Sequence, residues 1–118
     1  MLTSATIDTV HDASGRISAE RVADLYGLKL SALAAVLRQS YETLRKNPSR
    51  DEAQEGLSKL VHAWNQLETI FLKREYVARW LHHPLADSGL RPLDILSGHD
   101  GLGEFTGLAG RIATGTYR

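Results

Sequence analysis

Apolar residues recur along this chain every three or four positions, which is the spacing of one face of an α-helix. The strongest run begins at Asp51, where Leu57, Leu60, Val61, Trp64, Leu67 and Phe71 are separated by polar residues. It predicts a long amphipathic helix. The pattern carries on through Tyr76, Val77, Trp80 and Leu81, so the helix is expected to run on or kink there. Pro84 ends it by His83, because the residue before a proline is pushed out of helical geometry. Upstream, Ser18 is placed to cap a helix with Glu20 in its first turn, Val22 and Leu25 on one face, and Gly27 as its stop. A second helix carries Leu30, Leu33, Ala34 and Leu37. A third, capped by Ser40 and anchored by Leu44, covers residues 41–46 and closes before Asn47-Pro48. After Pro84, residues 85–91 have the character of a loop and Pro92 opens a short helix through Leu93, Ile95 and Leu96. A last helix carries Leu102, Phe105, Leu108, Ala109 and Ile112 as far as Gly115. No window alternates long enough to predict a strand, so the expected fold is all-α. Residues 1–15 have few periodic apolar positions and are rich in Ser, Thr and Asp, which predicts a flexible N-terminal arm and a folded part starting near Arg16.

Composition narrows the function. The apolar fraction of 42% and charged fraction of 24% are those of an ordinary globular chain. Fourteen basic residues are balanced by fourteen acidic ones, so no global field draws the molecule to nucleic acid, and any DNA contact needs a local patch. Without cysteine there is no disulfide, thiolate nucleophile or Cys-ligated metal. The first residues lack the basic and apolar regions of a leader, and no run is long enough to span a bilayer. The expectation is a cytoplasmic protein with no membrane partner.

Candidate chemistry is sparse. His82 and His83 are neighbours, considered together with His62, and His11 and His99 lie elsewhere, but adjacent histidines diverge on a helix and cannot easily face one ion. No metal is expected. Gly98, Gly101, Gly103 and Gly107 lack the preceding strand and the lysine of a phosphate loop, and serve better as a helix stop, a loop and close packing. No nucleophile, base and oxyanion donor fall into a recognisable order, so neither an enzyme nor a cofactor is expected. The helices around Ala34 and Leu44 fit a helix-turn-helix, with Arg38, Gln39, Ser40, Tyr41, Thr43, Arg45 and Lys46 as the candidate DNA-binding residues. Arg38 occupies the turn position often held by glycine, and Gln39 the apolar position after it.

The final third is more specific. Trp80-Leu81-His82-His83-Pro84, a loop, Leu90-Arg91-Pro92-Leu93-Asp94-Ile95-Leu96, and a glycine-containing helix running from Leu108 to Gly115-Thr116-Tyr117 together resemble the C-terminal toxin-binding domain of Xre/MbcA/ParS-type antitoxins. The match covers roughly residues 75–118; residues 16–70 resemble, more loosely, the Xre-like helix-turn-helix that precedes that domain. Beyond the arm at 1–15, the resemblance implies a helix-turn-helix and dimerisation region at 16–72 and a toxin-binding domain at 73–118. It implies an antitoxin that neutralises a cognate RES-domain, NAD-degrading toxin by occluding its active site. It further implies a homodimer and autorepression of its operon through operator DNA. Arg111, Gly115, Thr116, Tyr117 and Arg118 would then meet the toxin, over a scaffold of Trp80, Leu81, Pro92, Leu93 and Leu96. The alternative is a stand-alone helix-turn-helix transcriptional regulator whose C-terminal helices serve only to dimerise.

Overall fold

The computed structural model describes residues 9–115, and every structural statement below concerns those residues. They form seven helices and no strand: α1 (Ala19–Tyr26), α2 (Leu30–Leu37), α3 (Tyr41–Lys46), α4 (Asp51–Phe71), α5 (Arg74–Leu81), α6 (Pro92–Leu96) and α7 (Gly101–Thr114). Their ends follow from local chemistry. Ser18 and Ser40 accept hydrogen bonds from the N–H groups of Arg21 and Thr43, satisfying donors that a helix start leaves open. Gly27 and Gly115 close α1 and α7 in the left-handed conformation, at φ 70° and 75°, which glycine adopts without steric cost.

The long helix α4 is the axis of the fold, packed most extensively on α7 and also on α1, α2 and α5. Most of its apolar stripe is covered: Leu57, Leu60, Val61, Trp64 and Leu67 are buried, and Phe71 is half-buried. Around Trp64 the core is aromatic. The Tyr26 ring meets Trp64 edge-on at 5.1 Å and Phe105 at 5.8 Å. The Tyr26 hydroxyl donates to the Leu60 carbonyl at 2.6 Å, and burial pushes its pKa far above the ordinary tyrosine value, so it stays protonated as a donor. The Trp64 indole N–H donates to the buried carboxylate of Glu68 at 2.7 Å. One hydrophobic cluster therefore runs from Val10 to Ala109, taking residues from both sides of the boundary expected at 72/73.

Two features depart from the hydrophobic pattern. Residues 9–15, the described part of the expected arm, are tied to the body. Val10 is fully buried, and its carbonyl accepts from the Ser18 N–H at 2.9 Å. The Asp12 carboxylate accepts from Ser14, from the Arg16 N–H and from the Ser49 hydroxyl, and the Ser14 and Ser49 bonds hold its pKa well below the usual carboxylate range. The Gln54 side chain, on α4, pairs with both backbone groups of Ile17, at 3.0 and 2.9 Å. A single buried valine and a set of polar ties hold this segment, and neither has a helical period. The second departure is the end of α4. The helix stops at Phe71, and Leu72 turns left-handed at φ 75° before α5 begins at Arg74. That corner folds α5 back against α4, which lets Val77 and Leu81 reach the core.

Candidate interaction surfaces

The C-terminal third builds one face from α5, α6 and α7. Leu81, Pro92, Leu93 and Leu96 are buried, and Trp80 is half-buried with its ring tilted against Phe71 at 5.7 Å. α6 starts at Pro92, whose missing N–H costs nothing at a helix start. Asp94 accepts from the Arg91 backbone N–H at 3.0 Å and from its guanidinium at 3.1 and 2.9 Å; the bonds from Arg91 draw the Asp94 pKa down. α7 then leaves a close corner. A Cβ on Gly101 would stand 1.8 Å from the Leu96 carbonyl oxygen, so only glycine fits there.

α7 divides along its length. Phe105, Leu108 and Ala109 are buried, whereas Arg111, Thr114 and Gly115 are exposed. Residues Thr116, Tyr117 and Arg118 lie outside the described residues. Beside α7 runs a groove of about 370 Å³, lined among others by Leu85, Ile95, Leu108, Asp87, Glu104 and Arg111. Gly107 lines it too, and Arg111 Nη1 stands 3.5 Å from where its Cβ would be, so the guanidinium lies back along the helix. Asp87 and Glu104 carried no signal in the sequence. One lies in a loop and the other in the first turn of a helix, and only the packing of that loop against α7 puts them in one groove.

The second surface is formed by α2, residues 38–40 and α3. Leu33, Ala34 and Leu44 are buried where the helices meet. Arg38 takes the left-handed conformation at φ 56°, and its Nη2 donates to the His99 carbonyl at 3.1 Å. Gln39 is half-buried, with its N–H on the Ala34 carbonyl at 2.9 Å. Tyr41, Thr43, Arg45 and Lys46 are exposed on α3. Arg45 pairs with Glu42 at 2.7 Å within the same helix, and that bond lowers the Glu42 pKa. Hence the α3 surface offers an aromatic ring, a hydroxyl and Lys46, with one of its cations already balanced. A further groove of about 500 Å³ separates this surface from the α6–α7 corner, lined among others by Val36, Arg38, Lys59, His99 and Leu102.

His62, His82 and His83 are all exposed, and no three His, Asp or Glu residues among those described are grouped to hold a metal ion. No helix among them is long and apolar enough to cross a membrane. No protein-family model matches the chain, and neither a curated protein nor a solved structure does.

Proposed function

We propose that this chain is an antitoxin that binds a RES-domain, NAD-degrading toxin and occludes its active site with Arg111, Gly115, Thr116, Tyr117 and Arg118. The observation that supports the reading is the division of α7. Its first part is locked into the core through Phe105 and Ala109, while its last turn leaves Arg111 and Thr114 exposed, Arg111 beside a groove. A rigid helix presenting an exposed end suits insertion into a cleft, because little conformational freedom is lost on binding. Trp80, Leu81, Pro92, Leu93 and Leu96 act as the scaffold beneath, and the protein works as a homodimer. No cofactor or catalytic residue takes part.

The α2–α3 surface supports a second role, operator binding through a helix-turn-helix, with α3 as the reading helix. Left-handed Arg38 gives the sharp turn between the two helices, and exposed Tyr41, Thr43 and Lys46 are side chains that reach base edges and phosphates. A chain that bound DNA and no toxin would be a stand-alone regulator.

The test is co-expression with a RES-domain toxin, comparing the full chain with one ending at Thr114. Full-length protein is expected to form a complex and restore growth, and the shortened chain to bind without restoring it. Failure of both to bind, together with specific operator binding that falls steeply with salt, would leave the regulator in its place.

A further inference from the structure

We propose that the groove beside α7 receives a lysine or arginine side chain of the partner; the inference rests on the antitoxin reading, and the partner is the RES-domain toxin. The groove has a mixed lining. Apolar Leu85, Ile95 and Leu108 line it together with acidic Asp87, from the loop before α6, and Glu104, from α7. Neither carboxylate is in an ion pair among the described residues. Arg111 lines the same groove, so carboxylates outnumber cations there by two to one.

That combination selects its occupant. Lysine and arginine combine an aliphatic stem that packs on apolar surface with a charged head that pairs with carboxylates, and the lining supplies both kinds of partner. A purely apolar side chain would cover the leucine and isoleucine lining but strip water from two carboxylates without replacing their hydrogen bonds. An acidic side chain would add repulsion. The groove also adjoins the exposed end of α7, since Arg111 belongs to both, so a toxin gripping that end covers the groove as well. Its room depends on Gly107, around which the nearest atom to an added Cβ is Arg111 Nη1 at 3.5 Å.

The experiment measures the Kd of the full-length chain for a RES-domain toxin whose growth inhibition the chain relieves on co-expression, at low and high salt, with melting temperature as the control for folding. The Asp87→Asn/Glu104→Gln double variant should bind about tenfold more weakly at low salt and lose part of the salt dependence, as expected when a cross-interface charge pair is removed. Gly107→Leu, which narrows the groove and keeps both carboxylates, should also bind about tenfold more weakly while melting no lower than the native chain. If the double variant binds within about twofold of native at both salts, the cationic occupant is wrong, whatever Gly107→Leu does. If the native chain itself does not bind the RES-domain protein, the antitoxin reading falls, and this inference with it.

Discussion

Tyr26 joins α1, α4 and α7 through one side chain. Its ring sits between Trp64 and Phe105, and its hydroxyl reaches the Leu60 carbonyl in the middle of α4. Tyr26→Phe keeps the rings and removes one buried hydrogen bond. It should lower stability by about 1 kcal/mol, seen as a fall of roughly 4 °C in melting temperature by calorimetry. Leu72 is the opposite case. It is 65% exposed and held at φ 75°, where a side chain crowds the backbone and little burial offsets the strain. Leu72→Gly should therefore raise stability by about 1 kcal/mol in denaturant unfolding. No loss of stability is expected from exposed pairs such as Glu42 with Arg45, whose partners are well solvated.

At the scale of the element, α7 holds glycines with opposite roles. Gly101 is pressed against the Leu96 carbonyl, while Gly107 and Gly110 have no obstruction where a Cβ would go. Gly107→Ala and Gly110→Ala should each stabilise the protein by about 1 kcal/mol, the difference in helix propensity. Gly101→Ala should destabilise it by roughly 3 kcal/mol, because the α6–α7 corner must open to admit a methyl group. Thermal melts of the three variants check this directly, and a common direction for all three would contradict the packing of that corner. The caps belong to the same scale. Ser18, Gly27, Ser40, Pro92 and Gly115 all stand at helix ends as the sequence predicts, since each acts on backbone groups within a few residues of itself.

For the whole molecule, the segment before α1 makes stability depend on pH. Asp12 has a folded-state pKa below its unfolded value, because Ser14 and Ser49 bond its ionised form. Its contribution is fully present above the unfolded pKa of about 3.9 and fades as the pH falls below it. Asp12→Asn should lower stability at pH 7 and flatten the decline between roughly pH 4 and pH 2, measured as urea midpoints across that range. Parallel profiles for the two proteins would mean that the carboxylate does not anchor this segment. The same anchoring holds residues 9–15 onto α4, so proteolysis of the folded chain should spare the backbone around Val10.

The sequence by itself determined that the chain is helical, where most helices begin and end, and that Leu57, Leu60, Trp64 and Leu67 face a core. These properties are local: a cap acts within one turn, and an amphipathic stripe is a matter of spacing. Tertiary structure decided the rest. The break at Leu72 has no proline or glycine to announce it, and follows from the need to fold Val77 and Leu81 back onto α4. The docking of residues 9–15 depends on Ser49 and Gln54, each 37 positions away from the residue it binds. The groove with Asp87 and Glu104 exists only because a loop and a helix pack side by side, and no spacing along the chain encodes that meeting. Contacts between distant positions are set by the shape of the whole core.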